Sequence, residues 1–217
     1  WNLRDILRNK FRTITGVIGI VGCTTLIVCV LGMLNSMNYF IKLQFDDLYN
    51  FEYKLTLKET INEDSLNLLT EKYGNNTSKT YAIEIKDKDS NREANTIFVD
   101  ASNDYIRFID NKYKFQKLNK NNGIYVTYKY AEENNIKKGD KIKWHIYGDK
   151  TYYESKVIGF YRDPQVQGLT ATKEYIESLG IKYSPDSIYT NKNIDKSKSI
   201  KDVEVVQNIN ELKDTIT

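Results

Sequence analysis

Only one histidine, His145, stands in the 217 residues, next to Trp144 in a segment that alternates as a strand does. A hydrolase triad needs a base beside a nucleophile. His145 could serve as one member, but no G-x-S-x-G or similar elbow accompanies it. A zinc site usually takes several His or Cys ligands. Beyond residue 42 the chain offers this one histidine and no cysteine. The carboxylate pairs Asp87/Asp89 and Glu132/Glu133 lie among lysines, as on a solvated face. There is no Walker A loop, so ATP hydrolysis is not expected of this chain. No catalytic residue, metal ligand or cofactor is therefore expected. Asn75-Asn76-Thr77 fits a glycosylation acceptor, a pattern short enough to arise by chance.

The two cysteines, Cys23 and Cys29, are six residues apart inside an apolar run. On a helix they are separated by about 9 Å of rise and point in different directions, so they cannot pair with each other. The 17 tyrosines all lie at or after Tyr39. Tyr125, Tyr128, Tyr130, Tyr147, Tyr152, Tyr153 and Tyr161 cluster in the middle of the chain. Exposed tyrosines favour interfaces. The plainer account is that tyrosine replaces Phe and Leu in strands of a Tyr-rich proteome. Heavy use of Asn, Lys, Ile and Tyr suits an A/T-rich bacterial genome.

What positions these residues begins with charge. The formal net charge is +3. Residues 1–12 hold Arg4, Arg8, Lys10 and Arg12 against Asp5, and residues 13–217 hold 28 basic and 28 acidic residues. The whole excess sits in twelve positions. A nucleic-acid binder needs a basic face on its folded domain, so no nucleic-acid partner is expected. From Thr13 to Ile41 no residue is charged. A bilayer core needs about 20 apolar residues in a helix. With basic residues before the run and Asp46, Asp47 and Glu52 after it, the positive-inside rule places Arg4, Arg8, Lys10 and Arg12 in the cytoplasm. The run exceeds a typical signal-peptide h-region and no A-x-A-like site follows it. Ile20-Val21-Gly22-Cys23 fits a lipobox, but the residues after Cys23 remain apolar where a lipoprotein would turn polar.

Thr15, Gly19 and Cys23 are four apart, with Gly16 and Gly22 beside them. Small residues on one face let another helix approach closely, although glycine is also simply frequent in membrane helices. Ahead of the span, Leu3, Leu7, Phe11 and Ile14 recur at helical spacing beside Arg4, Arg8 and Arg12. This suits an amphipathic helix lying on membrane lipid. The expected organisation is a cytoplasmic amphipathic helix over 1–13, a transmembrane helix over 14–36, a stalk over 37–50 and an extracytoplasmic α+β domain over 51–217.

Within that domain, strands are expected at 51–58, 79–89, 94–101, 123–128, 140–148, 151–162, 186–191 and 202–208. Helices are expected at 62–74, 129–135, 171–180 and from 209, with a short one over 103–110. Strands and helices interleave irregularly, which makes the fold class α+β.

The segment RDILRNKFRTITGVIGIVGCTTLIVCVLGMLNSM resembles the first-helix signature of FtsX-like permeases of ABC transporters, the class that includes MacB. Arg8, Lys10, Arg12, Thr13, Gly16, Ile18, Gly19 and Gly22 occupy the places of that signature. Downstream, Ile124–Tyr128, Ala131, Gly139-Asp140-Lys141, Ile142–Tyr147 and Val157-Ile158-Gly159 are similar to the strand, helix, turn and strands of MacB-like periplasmic domains. The resemblance implies a permease fragment of a bacterial cell membrane. It implies a cytoplasmic ATP-binding-cassette ATPase and a second permease copy or half as partners, and a role in export or mechanotransmission. The rival class is a one-span sensor or an anchored ligand-binding protein.

Overall fold

The computed structural model describes residues 10–86, 91–120, 123–195 and 199–216. The chain divides into two compact units, Trp1–Lys42 and Leu43–Thr217. In the first, helix α1 (Lys10–Ile41) is a single 32-residue run, about 48 Å at 1.5 Å per residue. Ile14, Val17, Ile18, Ile20, Val21, Leu26, Ile27, Val28, Val30, Leu31 and Leu34 are all more than half exposed. So large and continuous an apolar surface is untenable in water. Among the described residues one helix is long and apolar enough to cross a membrane, and none of its most apolar window is buried. A signal sequence near an N-terminus, or the core helix of a soluble protein, can meet the same criteria of length and apolar composition.

The helical path continues through a π-helical segment, Lys42–Leu48. Leu43 and Leu48 are buried against Ile109. The second unit is a mixed α+β, sheet-rich domain. Its elements are β1 (Tyr53–Leu57), α2 (Glu63–Tyr73), β2 (Thr77–Lys86), β3 (Asn91–Val99), β4 (Phe108–Ile109), β5 (Phe115–Gln116), β6 (Ile124–Thr127), α3 (Tyr128–Glu133), β7 (Lys141–Ile146), β8 (Tyr153–Tyr161), β9 (Gly168–Thr172), α4 (Lys173–Ser178), β10 (Ser187–Thr190), β11 (Val203–Asn208) and α5 (Ile209–Ile216).

Six strands close on themselves. The neighbours run β2-β3-β9-β6-β8-β7, and β7 pairs back onto β2. The β3–β9 and β6–β8 pairs are parallel and the other four are antiparallel. Period-two alternation sends one side chain in two inward. Ile83, Ile85, Ala94, Phe98, Ile124, Val126, Ile142, Trp144, Val157, Leu169 and Ala171 form the resulting core. Trp144 is fully buried, and its indole N–H donates to Ser155 Oγ at 3.0 Å. A buried indole needs such a partner.

Strand β2 serves two neighbours along one edge. Its C-terminal half pairs with β7 and its start pairs with β10. From β10 the sheet continues through β1 to β11. Leu55, Leu57, Tyr73, Ile188 and Val203 form a second core beneath α2. That helix starts on Asn62, whose side chain accepts from Ser65 N, and stops at Gly74 with φ +115°, a conformation that favours glycine.

The segment 103–110 is extended, where its sequence suggests a helix. Asn103 Oδ1 accepts from Tyr105 N and Ile106 N, an Asx turn that competes with helical bonding. Ile106 then bridges Tyr49, and Arg107 N donates to Leu48 O at 2.8 Å.

Candidate functional site

Lys10 and Arg12 lie exposed in the first turn of α1, while Arg4 and Arg8 lie outside the described residues. Thr15, Gly16, Gly19, Gly22 and Cys23 are exposed on α1 and fall within about a third of its circumference at 100° per residue. Thr15 Oγ1 donates to Phe11 O at 2.8 Å, so its polar atom is satisfied inside the helix. A Cβ built on Gly16, Gly19 or Gly22 meets nothing within 4 Å. Among the described residues, none approaches these glycines closely enough to require them.

His145 is buried on β7, opposite Glu84 of β2 in the pair of strands that closes the barrel. Its Nε2 lies 2.9 Å from Glu84 Oε2, and its Nδ1 lies 2.8 Å from Asp149 O. Asn91 Nδ2 also donates to Glu84 Oε2. The Tyr152 ring stacks 4.4 Å from the imidazole, with Lys86 and Lys143 over the same ring. Burial alone would lower the His145 pKa. The bonds to Glu84 and the Asp149 carbonyl, with the Glu84 charge, outweigh it and hold the imidazole above its ordinary 6.5. Among the described residues no group of three or more His, Cys, Asp and Glu could hold a metal ion. The arrangement is a clasp across the barrel seam. The pair's contribution to stability is full below pH 6.5 and is lost as pH rises through the raised folded-state value. Thermal unfolding of the chain from about pH 6 to about pH 9 should show that loss. His145→Gln should lack it, and equal pH slopes for both chains would contradict the assignment.

Of the clustered tyrosines, Tyr125, Tyr130 and Tyr161 are buried, whereas Tyr147 and Tyr152 are exposed. Most of the cluster is therefore core and barrel wall. Glu132 and Glu133 are exposed on α3, with Glu133 3.9 Å from Lys129. Asp87 and Asp89 lie outside the described residues.

Two features had no signal in the sequence. The first and last parts of the domain meet: β1 pairs with β11, Ile209 N donates to Glu52 O at 2.9 Å, and Lys213 Nζ bonds Asp46 Oδ1. The second is a cavity of about 520 Å³ beside the β4–β5 hairpin. Val99, Ile106, Phe108, Phe115 and Leu118 give it an apolar floor, and Asn50, Asp100, Asp104, Arg107 and Lys117 line it with polar groups. Both depend on contacts between residues far apart in sequence.

No protein-family model matches this chain, and no curated protein matches it either.

Proposed function

We propose that this chain is part of a permease subunit of an ABC transporter of the FtsX-like class, with a MacB-like outer domain. In this reading α1 crosses the bacterial cell membrane with its N-terminus in the cytoplasm, and the domain from Leu43 onward lies outside. A separate cytoplasmic ATP-binding-cassette ATPase hydrolyses ATP, and α1 meets a second permease copy or half through its small-residue face. The function is export or mechanotransmission, and the chain is not itself an enzyme.

The observation that carries this reading is how the domain starts and finishes. The π-helical segment Lys42–Leu48 follows α1 in sequence, and Leu43 and Leu48 belong to the domain's own packing. The last elements, β11 and α5, are fastened to the same place through Tyr53↔Asn208, Glu52–Ile209 and Asp46–Lys213. A domain gripped at one point by both its first and its last elements suits a part that is moved by membrane helices. The residues of the second resemblance add support. They form consecutive barrel elements β6, α3, β7 and β8, joined by a turn in which Gly139 has φ +100°.

Gly19→Leu tests the reading. The chain itself leaves room at Gly19, and added apolar surface favours insertion. A helix packed on that face would be overfilled, which commonly costs about 1–3 kcal/mol. Membrane localisation should persist, while co-purification with the ATPase or stimulation of its activity should fall several-fold. Leu26→Ile should be milder. Unchanged assembly and coupling in Gly19→Leu would count against the permease reading.

A further inference from the structure

We propose that the cavity beside the β4–β5 hairpin binds a short apolar peptide with free termini, of dipeptide size, and that occupancy stiffens Leu48–Asn50 at the start of the domain. The cavity's volume of about 520 Å³ lies within the roughly 300–1,000 Å³ typical of ligand pockets. Its composition selects the ligand. The apolar floor takes aliphatic or aromatic side chains. The polar lining carries both signs of charge, Arg107 and Lys117 on one hand and Asp100 and Asp104 on the other. A simple anion or cation would leave half of these groups facing a like charge. A zwitterion with an apolar body satisfies both.

The charged groups are available. Lys117 and Asp104 pair at 3.3 Å, but their side chains are 86% and 71% exposed. A pair so exposed contributes little and exchanges easily for ligand charges. The Arg107 guanidinium rests 5.2 Å from the Phe115 ring centroid and has no carboxylate partner among the described residues. Such stacking leaves its N–H groups free to take a carboxylate at two points. Burial pushes the Asp100 carboxyl up, but bonds from Ser102 and the charges of Lys173 and Lys120 outweigh this and hold it lowered and ionised. It can therefore face an ammonium.

The same residues reach Leu48–Asn50. Asn50 lines the cavity, and its N–H donates to Tyr105 O at 2.8 Å. Arg107 lines it too, and its N–H donates to Leu48 O at 2.8 Å. Between them Tyr49 bridges Ile106. A ligand touching Asn50, Ile106 and Arg107 rests on residues that hold Leu48–Asn50 in place. This inference does not depend on the permease reading, since it needs neither an ATPase nor a second copy.

The test uses the full chain in lipid nanodiscs, with leucyl-phenylalanine as probe. Titration calorimetry compares it with its N-acetyl form, its C-terminal amide and free leucine. The uncapped dipeptide should bind, and each cap should weaken binding about tenfold, as loss of one charge-assisted contact does. Free leucine, lacking half the apolar body, should bind more weakly. Arg107→Gln should weaken the uncapped dipeptide toward the level of the amide and leave the amide unchanged, because variant and cap act on the same carboxylate interaction. Lys117→Gln, at a side chain too exposed to affect folding, should weaken the uncapped dipeptide more than the amide. Bound dipeptide should slow hydrogen exchange at the Asn50 and Arg107 amides. No binding at millimolar dipeptide, or equal affinity for capped and uncapped forms, would overturn the ligand assignment. Binding without slowed exchange at those two amides would overturn the coupling.

Discussion

Gly168→Ala is expected to unfold the barrel or lower its stability drastically. Gly168 opens β9, the strand that sits between β3 and β6. A Cβ there would stand 1.9 Å from Asn95 O and 3.0 Å from Asn95 C and N. These are backbone atoms, held by the β2–β3 and β3–β9 ladders, so no side chain can turn aside to make room. Gly168 N also donates to Thr127 Oγ1 at 3.0 Å, which ties β9 to β6. Moving the glycine would break that bond as well. Overpacking in a yielding core costs about 1–3 kcal/mol. Here the cost should be at least about 3 kcal/mol, a large part of the about 5–15 kcal/mol that holds a domain folded. For a chain of this size each kcal/mol lowers the melting temperature by about 2–4 °C. Gly139→Ala is the control. Gly139 has φ +100° and open space around it, so it should lose only about 1–2 kcal/mol of backbone strain. Near-UV circular dichroism during thermal unfolding measures both. A Gly168→Ala chain as stable as Gly139→Ala would mean that β3 and β9 are not packed as described.

How much of this was legible beforehand divides along the range of the interactions. The long apolar run, the strand at 53–57, the helix ending at Gly74 and the helix ending before Gly180 are set by residues a few positions apart. Periodicity and caps reveal those. Strand β9 was not foreseen, because its sequence GLTAT lacks alternation. Every one of its side chains is buried, and its small residues fit between neighbours that sequence alone does not place together. The β4–β5 hairpin pairs only two residues on each side and has no detectable pattern. Segment 103–110 carries helical spacing in Tyr105, Phe108 and Ile109, while the Asn103 side chain takes the Tyr105 and Ile106 N–H groups into an Asx turn. Leu43 and Leu48 keep the helical spacing that suggests a stalk, yet they pack within the second unit against Ile109.

The same division holds for the candidate sites. His145 stood out by its rarity, but its partner Glu84 is 61 positions away and meets it only because β7 closes onto β2. The small residues of α1 were visible as a spacing. That spacing cannot say what lies against them, and the room around Gly16, Gly19 and Gly22 does not say it either. Arg107 and Lys117 carry no local pattern that sets them apart from other charged residues. They line one cavity only because the hairpin brings residues 107–108 beside 115–118.

The measurement that bears most directly on the proposed topology, in which α1 crosses the membrane and the domain lies outside, is thiol accessibility in intact cells. Cys23 and Cys29 are replaced by serine, and a single cysteine is placed at Asn9 or at Lys138, which is exposed in the turn before β7. The whole excess of positive charge lies in residues 1–12, and moving basic residues across a membrane is disfavoured. An impermeant maleimide should therefore label position 138 on intact cells, with the chain intact in the membrane fraction. It should label position 9 only after the membrane is opened, an all-or-none difference. Labelling at position 9 with position 138 spared, or release of a shortened chain lacking α1, would contradict the account.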